Sequence, residues 1–496
     1  MIVAALDRPD QGKRSGEKNA GSKNRPQAMC GRPRYQQLVS TPSTVGRCTS
    51  GPTKQAESLA NLRPMVMFLR SVLLMLVVTL LWGCRKELDT QAPEVTILLP
   101  SSTYTGQVPD TLMVRVAITD DQQVNSVVIT LQAANGAVIA PSLTLAVGSS
   151  SATVEGALIV SDERITSGSY TLIARATDGR NDGRDFVSLT LQAAPLRTRS
   201  VFIGPPAGTT PATLYRIDSL GTLTTWLTLP ELGGAAVLEP FIYTAGTVSA
   251  PFERWNANTG ASSVLTPNNT PAGSSLPFFN GTVRDPFDDR IYVGRSDGTI
   301  LGFSAAGTQV FNGISIAGSR SMLTAALADR LMSAALDQVT QEWTLVSHAY
   351  VSGNALEQRP LDHAPIALFR TASDRVLSIG QRGTDAVVQT NYLTQGGSFD
   401  HLVFAGTEVF AVAQLSEQEY FLALSSGVAR VRTTDNSYTY LAPGMVAGAL
   451  AHGPANGSVY VGQGQQVLRL DANTGSIVEQ WSVPAPVGVI LPLLNR

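Results

Sequence analysis

The sequence predicts an all-β protein in which a β-sandwich is followed by a seven-bladed β-propeller. Three observations lead to this fold class. Hydrophobic residues make up 43% of the 496 residues and charged residues only 15%, alongside 44 Gly and 28 Pro, a composition typical of turn-rich β proteins. Between residues 93 and 195, short segments alternate apolar and polar side chains, as half-buried strands do. In residues 196–496, short apolar segments recur at intervals, which indicates structural repeats.

The first 64 residues form a basic extension without apolar periodicity. Residues 1–64 contain 11 Lys and Arg against 4 Asp and Glu, whereas residues 65–496 contain 25 against 34. The extension is rich in Gly, Pro and Ser, so we expect it to be disordered. The simplest explanation is that translation starts at Met65 or Met67 and that the upstream residues are a start-site error. The alternative is a basic cytoplasmic arm.

A short apolar segment follows, with Arg70 near its start and Gly83 at its end. Its core, residues 72–82, is eleven residues long. At about 1.5 Å per residue, a helix of this length covers only half of the roughly 30 Å hydrocarbon core of a membrane. A positive charge, a short apolar segment and a small residue in this order are typical of a secretory signal peptide. We therefore predict that residues 65–83 form a short signal helix that is cleaved after Gly83.

The segment LWGC at residues 81–84 resembles the lipobox of bacterial lipoproteins, although Trp82 departs from the small residue usual at that place. The resemblance implies that Cys84 carries a diacylglycerol and becomes the first residue of the mature protein, with residues 84–92 as a lipidated linker. No Asp follows the cysteine, which by the same resemblance favours the outer membrane. The sequence RKELD at 85–89 looks like the export tag of surface lipoproteins in the Bacteroidetes. We expect a lipid-anchored protein on the periplasmic face or the cell surface.

The positions of the cysteines and lysines restrict the chemistry and the partners that the sequence allows. The alternative to lipidation, a core helix ending at a buried Cys84, would place charges such as Arg70 beside a core, which is costly. The other cysteines are Cys30 and Cys48, so the folded part can form no disulfide or thiolate metal site. From Cys84 onward the only lysine is Lys86 and no basic run occurs, so we predict no nucleic-acid partner.

Residues 93–195 are predicted to form the sandwich. Seven alternating segments supply its strands, at residues 94–99, 111–118, 124–131, 142–147, 152–160, 169–177 and 185–192. The sequences APEVTILLP, TDDQQVNSVVITL and YTLIARATDGRND resemble bacterial immunoglobulin-like domains, which implies a stalk or spacer on an exported protein. The segment has no Cys and no Trp, so a link to antibody domains is architectural only.

Four aspartates in predicted turns of this segment are weak candidates for a calcium site at one end of the sandwich: Asp120, Asp121, Asp178 and Asp182. Aspartate is also an ordinary turn former. We therefore interpret all four as turn residues and predict no metal.

Seven apolar anchor segments mark the repeats. They begin at residues 201, 241, 291, 331, 376, 421 and 459. A turn and a second strand come after most anchors, and a third strand usually comes next. Together with a less regular strand before the anchor, they make one four-stranded propeller blade. Seven anchors predict seven blades in residues 196–496; six or eight remain open if one repeat is merged or split. The first anchor has no strand ahead of it, so we predict that residues 487–495 supply this strand and close the ring.

The last repeat, VYVGQGQQVLRLDANTGSIVEQW at 459–481, resembles the repeat of quinoprotein-like, or YVTN-type, propellers, in which a DA-TG turn joins two strands. Genuine quinoproteins carry regularly placed tryptophans. The propeller segment has only Trp226, Trp255, Trp343 and Trp481, so we predict no cofactor. The segment RSDGTI at 295–300 resembles part of the Asp box of sialidase-like propellers, and we interpret it as a hairpin turn.

No linear motif for catalysis stands out. The four histidines, His348, His363, His401 and His452, lie apart and form no metal-binding pair, and neither a nucleophile elbow nor a phosphate loop occurs. The strongest candidates for ligand binding are charged. One set precedes the anchor at residue 291: Arg284, Asp285, Asp288 and Asp289, with Arg290 beside them. A second set is predicted to line one mouth of the central channel, where it would hold an acidic or sugar ligand: Arg295, Arg320, Arg370 and Arg382. A solvated loop with local ion pairs is the alternative for the first set.

These features favour a non-enzymatic, lipid-anchored binding or scaffold protein whose propeller binds a protein or a glycan. The alternative is a lyase or hydrolase that acts on glycans or peptides. Such an enzyme would need convergent carboxylates or a His–acid pair in a cleft. A third hypothesis comes from resemblance to the propeller lipoprotein of the outer-membrane barrel-assembly machinery, which lacks the spacer domain.

Overall fold

The computed structural model describes residues 90–271, 273–274, 276–314 and 316–495. The basic extension, the signal helix and the lipidation site therefore lie outside the described residues. Within the described part every regular element is a β-strand, as the sequence predicts, and no helix there is long and apolar enough to cross a membrane. The strands form one six-stranded sheet followed by seven four-stranded sheets.

The first sheet has the strand order β1-β3-β5-β6-β2, with β4 paired to β3. Its strands are β1 (Glu94–Leu99), β2 (Thr105–Gln107), β3 (Asp110–Gln132), β4 (Leu143–Val160), β5 (Gly168–Thr177) and β6 (Asp182–Gln192). All seven predicted segments lie in strands, but two pairs of them merge into the long strands β3 and β4. The predicted break in β3 is instead an irregularity in its pairing with β4 between Thr119 and Val124. Such a bulge bends a strand without ending it.

Alternation along the strands builds the core of this first sheet. In β3 the side chains of Leu112, Val114 and Val116 are buried, and the residues between them are exposed. One hydrophobic cluster joins these side chains to residues of β1, β4, β5 and β6. The assignment of this sheet to the immunoglobulin-like class remains a prediction.

The other seven sheets are antiparallel and have four strands each, and we number them as blades 1 to 7. Blade 1 contains β7 (Thr198–Gly204), β8 (Ala212–Asp218) and β9 (Leu223–Leu229); blade 2 contains β10 (Gly234–Leu238), β11 (Phe241–Ala245), β12 (Phe252–Asn256) and β13 (Ser262–Thr266); blade 3 contains β14 (Phe279–Asp285), β15 (Arg290–Arg295), β16 (Thr299–Phe303) and β17 (Gln309–Ile314). Blade 4 contains β18 (Ser319–Ala326), β19 (Arg330–Asp337), β20 (Trp343–Ala349) and β21 (Ala355–Leu361); blade 5 contains β22 (Ala364–Ala372), β23 (Arg375–Arg382), β24 (Asp385–Tyr392) and β25 (Ser398–Phe404). Blade 6 contains β26 (Val409–Ser416), β27 (Glu419–Leu424), β28 (Gly427–Arg432) and β29 (Ser437–Pro443); blade 7 contains β30 (Ala449–Gly453), β31 (Ser458–Gln463), β32 (Gln466–Asp471) and β33 (Ile477–Ser482).

The last strand of the chain, β34 (Val489–Leu494), belongs to blade 1. It pairs antiparallel with β7, and Leu491 lies opposite Phe202. The innermost strands β34, β10, β14, β18, β22, β26 and β30 each contact the next, and β30 contacts β34. The ring is therefore a closed seven-bladed propeller, and the predicted closing strand is confirmed.

The seven predicted anchors are the second strands of the seven blades. They are buried along their length because neighbouring blades cover both faces; in β31, for example, Val459, Tyr460 and Val461 are all buried. The outermost strand of the same blade, β33, is almost wholly exposed. The predicted turns also form: the DANTG turn joins β32 to β33, and Asp297 and Gly298 lie in the hairpin between β15 and β16.

The first sheet contacts the propeller beside the closing strand. The side-chain oxygen of Asn495 accepts a hydrogen bond from the Arg197 N–H (2.8 Å), and its amide nitrogen donates to Glu163 (2.7 Å) and to the Pro195 carbonyl (3.0 Å). Arg197 also forms an ion pair with Glu163. The residue after the closing strand thus holds the segment that links the two parts.

Candidate functional site

A cavity of about 690 Å³ opens at one end of the ring and is lined by blades 3 to 7. At this end the innermost strands of blades 2 to 7 turn into the second strands of their blades, as shown by Asp285 opposite Arg290 and Ser416 opposite Glu419. We name this end of the ring the cavity end. Pockets of several hundred Å³ accommodate compact ligands. The inner strands and the turns that follow them therefore form a concave site. In the sequence these residues are recognisable only as links between strands.

The lining of the cavity combines apolar side chains with charged and polar ones. The apolar side chains are Val283, Pro286, Phe287, Leu368, Phe369, Leu415 and Pro454. The polar side chains include Arg284, Asp285, Thr324, Arg370, Gln414, Ser416, Glu417 and His452. This mixture suits a ligand with an apolar body and a small number of polar groups.

Asp285 lies at the base of the turn that borders the cavity and is only 4% exposed. Its carboxylate accepts hydrogen bonds from the backbone N–H groups of Ala326 (2.5 Å) and Phe287 (2.9 Å). Burial raises the pKa of Asp285 to about 6, and these hydrogen bonds offset the rise only in part. The residue ties the turn of blade 3 to the inner strand of blade 4, so its oxygens already serve the fold.

Arg284 also lines the cavity, but carboxylates neutralise it. Its guanidinium forms ion pairs with Glu239 (3.1 Å) and Asp289 (3.1 Å). Glu239 belongs to blade 2 and also accepts a hydrogen bond from the Leu494 N–H (3.3 Å). Arg284 therefore connects blade 3 to blade 2, and Glu239 continues the connection to the closing strand.

Of the two candidate arginines that line the cavity, Arg370, in the inner strand of blade 5, is the one without an ion pair among the described residues. Its guanidinium carbon lies 3.6 Å from the centre of the Phe287 ring, which comes from blade 3. No carboxylate of the described residues forms an ion pair with it, and its buried Nε has no hydrogen-bond partner there. Arg370 and Phe287 thus reach across the mouth from two blades that are not neighbours.

Asp288 lies in the same turn but lines a separate depression with Phe287, Arg290 and Tyr350. Its carboxylate accepts hydrogen bonds from the hydroxyls of Tyr292 (2.5 Å) and Tyr350 (3.2 Å). Burial, followed by the hydrogen bond to this carboxylate, raises the pKa of Tyr292. The first set of candidates is therefore split: Arg284 and Asp285 line the cavity, whereas Asp288 and Asp289 do not.

The structure does not bring the four arginines of the second set to one mouth. Arg370 lies at the cavity end, but the other three lie at the opposite end of the ring. Arg295 ends β15, opposite Phe279 at the start of the inner strand, Arg320 stands near the start of β18, and Arg382 ends β23. A strand that crosses the ring places its two ends on opposite faces, and the sequence pattern does not distinguish them.

A His–acid pair does exist, but it lies away from the cavity. His363 contacts Asp362 through Nδ1 (2.9 Å), and Arg382 joins Asp362 to Asp400. The His363 side chain is 0% exposed, and burial lowers its pKa. The pair is located at the start of β22, at the opposite end of the ring. The imidazole is therefore closed to a substrate.

The remaining histidines serve the blades. His348 shares a hydrogen bond with Ser333 (2.9 Å) inside blade 4, and burial lowers its pKa to about 4. His401 lies between Thr390 (2.9 Å) and Asn436 (2.6 Å). His452 alone lines the cavity, and burial lowers its pKa.

The aspartates of the first sheet do not assemble a metal site in the described part of the chain. Asp182 forms an ion pair with Arg175 (2.5 Å). Asp178 accepts hydrogen bonds from the N–H groups of Arg180 (2.5 Å) and Asn181 (2.7 Å). Among the residues described, no group of three or more His, Cys, Asp or Glu side chains is arranged to hold a metal ion.

No protein-family model and no curated protein sequence matches this chain. Similar solved structures include a quinoprotein alcohol dehydrogenase-like protein from Bacteroides thetaiotaomicron, at 12% identity and a TM-score of 0.43, with 81% of this chain and 99% of that one covered. They also include a protein from Lactobacillus plantarum, at 14% identity and a TM-score of 0.45, covering 59% and 99%. The WD40 repeats of RRP9 match at 11% identity and a TM-score of 0.43, covering 52% and 83%. Similarity at this level concerns the fold alone.

Proposed function

We propose that the chain is a non-enzymatic binding protein held on the bacterial envelope by a lipid anchor. Its propeller presents a rigid disc whose cavity end binds part of a protein or glycan partner. The observation that supports this function best is the cavity itself, because five blades contribute to it and its lining combines apolar surface with polar and charged groups. A rigid ring keeps such a site open before the partner arrives, which lowers the entropic cost of binding.

The proposed anchor is Cys84, exposed as the new N-terminus by cleavage after Gly83. Two or three acyl chains, each contributing about 0.8 kcal/mol per buried methylene, would hold the protein durably on the outer membrane, at its periplasmic face or on the cell surface. Residues 84–92 then serve as a linker and 93–195 as an immunoglobulin-like spacer. The propeller, residues 196–496, carries the binding site.

The chemistry of the cavity supports binding over the alternative of a lyase or hydrolase. Asp285 is buried and held by backbone N–H groups, and His452 forms no ion pair with a carboxylate in the described part of the chain. The one His–acid contact, between His363 and Asp362, lies at the other end of the ring. General acid–base catalysis needs such a pair within reach of a substrate.

The binding function is tested by blocking the cavity. Ser416 is exposed at the cavity rim, so Ser416→Trp should fill the mouth without disturbing the core. Ser262→Trp, at an exposed serine in the outermost strand of blade 2, is the matched control. Affinity capture from native envelopes, with quantitative identification of proteins and glycans, should recover a partner with the native chain and the control but not with Ser416→Trp. Equal recovery with all three proteins would contradict a function at the cavity end.

The anchor is tested separately on protein from its native membrane. Mass spectrometry should find Cys84 as an acylated first residue, and Cys84→Ser should shift the protein from the membrane fraction to the soluble fraction. A free thiol on a chain that still begins at Met1 would refute the anchor and leave the binding test unaffected.

A further inference from the structure

The cavity contains one cation that the protein leaves uncompensated. Arg284 is neutralised by two carboxylates, whereas Arg370 has no ion pair among the described residues and stacks on the Phe287 ring at 3.6 Å. A partly buried guanidinium loses solvation and regains it only through an anion or other acceptors. Its buried Nε also lacks a hydrogen-bond partner in the described structure. An anion in the cavity would supply what this side chain lacks.

The surroundings of Arg370 restrict what can carry the anion. Leu368 and Phe369 precede it on the same strand, and Val283 and Leu415 line the cavity from blades 3 and 6. A sugar would require hydrogen-bond partners around its hydroxyl groups, whereas the side chains of Val283, Leu368 and Leu415 in this part of the lining are apolar. One face of the exposed Phe287 ring is already covered by Arg370. An apolar group therefore fits the wall better than a carbohydrate does.

The other charges restrict the ligand further. Asp285 and Glu417 line the same cavity and repel additional negative charge. A phosphate monoester carries close to two negative charges at neutral pH, which exceeds the single free cation in the described lining of the cavity. A carboxylate carries one negative charge and matches the planar fork of a guanidinium.

We infer that the cavity binds an amphipathic carboxylate, whose carboxylate group pairs with Arg370 and whose apolar body packs against Leu368, Phe369 and Leu415. This inference rests on the proposed binding function and names the chemistry recognised there. Two sources offer such a group: an acidic residue next to an apolar residue in a partner's peptide, and a free organic acid.

Isothermal titration calorimetry on the full chain in detergent tests the inference. The peptide probes are acetyl-Leu-Phe-Asp-amide and its Asn counterpart, and the small-molecule probes are 4-phenylbutyrate and 4-phenylbutyramide. At least one carboxylate should bind, and its uncharged counterpart should bind about tenfold more weakly or worse, because hydrogen bonds to charged groups are the stronger ones. If only the peptide binds, the source is a protein partner; if only phenylbutyrate binds, it is a free acid.

Arg370→Gln should weaken the carboxylate at least tenfold and leave the weak binding of the amide unchanged. Arg375→Gln is the matched control, because Arg375 begins the next strand of blade 5, stacks on Tyr392 at 5.1 Å and is not among the residues that line the cavity. Should Arg370→Gln fail to fold, Ser416→Trp provides the same comparison by blocking the mouth.

Two outcomes would overturn the inference: equal affinity for carboxylate and amide, or no binding of either carboxylate. They are distinguishable from failure of the proposed function. If envelope capture still depends on the open cavity while no carboxylate binds, the binding function stands and the ligand chemistry is different. If carboxylates bind through Arg370 but no partner depends on the cavity, the site is a small-molecule site without a scaffold role.

Discussion

Two buried carboxylates show that the hydrogen-bond donors around an acid determine whether burial raises its pKa. Glu231 is 5% exposed, and although burial would raise its pKa, Thr247 and the backbone N–H groups of residues 248–250 hold the pKa below its usual value. Asp285 is equally buried, but fewer backbone groups donate to it, and its pKa rises to about 6. The two acids therefore respond to pH in opposite directions. Protonation of Glu231 weakens the hydrogen bonds around it and destabilises the fold. Protonation of Asp285 removes the cost of a buried charge and stabilises the fold.

We predict that Asp285→Asn removes a pH-dependent cost. Because the folded pKa of Asp285, about 6, lies above its unfolded value of 3.8, the folded protein binds the proton more tightly. The contribution of this group is thus most favourable below about pH 4 and falls as pH rises to about 6, by about 3 kcal/mol in total. Urea unfolding of both proteins from pH 4 to pH 7 should show the stability of the native chain falling by that amount relative to the variant. A difference that stays constant over this range would contradict the prediction.

The candidate site was only partly predictable from residue type. Arg284, Asp285 and Arg370 belong to the cavity, whereas Arg295, Arg320 and Arg382 lie at the other end of the ring. Sequence alone does not tell which end of an irregular inner strand faces the mouth. The apolar lining residues, the exposed Phe287 above all, carry no local signal because any turn or strand can contain them. The residues just ahead of each anchor lie at the cavity end, so the regular anchors locate this end along the chain although the inner strands do not.

At the scale of the strand, burial on one or both faces explains what could be predicted. The second strands are covered by two neighbouring blades, so they read as continuous apolar runs, and all seven were found. The inner strands carry small residues where blades approach closely, and their pattern is less regular. The long strands β3 and β4 were each divided wrongly in two, because polar residues at a bulge resemble those of a turn.

The close approach of inner strands predicts the effect of one methyl group. A Cβ on Gly281 of β14 would lie 1.9 Å from the Met322 carbonyl oxygen in blade 4, so Gly281→Ala must push two backbones apart. We expect the free energy of unfolding to fall by about 2 to 3 kcal/mol, as in other overpacked sites. Gly168→Ala is the control, because a Cβ there meets only the Tyr170 ring, at 3.9 Å, and should change stability by less than about 1 kcal/mol. Thermal and urea unfolding measure both effects. Equal stabilities for the two variants would show that the blades can separate at little cost.

At the scale of the whole molecule, stability depends on the closing strand. Leu493 of β34 is 2% exposed in the core between blades 1 and 2, so Leu493→Asp buries a charge where the ring closes. We predict a loss of at least about 3 kcal/mol and new protease cleavage in blade 1. Val478→Asp is the control, because Val478 is 49% exposed in β33. Limited proteolysis with urea unfolding tests both. A Leu493→Asp protein as resistant as the control would mean that the ring holds without β34.

The source of β34 also constrains how the chain can fold. Blade 1 joins residues from the two ends of the propeller segment, with Val489 opposite Gly204. Until the last strand emerges, β7 presents an open sheet edge, and such edges template aggregation. The incomplete ring must therefore be protected from aggregation, by a chaperone or by rapid folding, during nearly the whole synthesis of the propeller. A nascent chain stalled shortly before Val489 should be the species most prone to self-association.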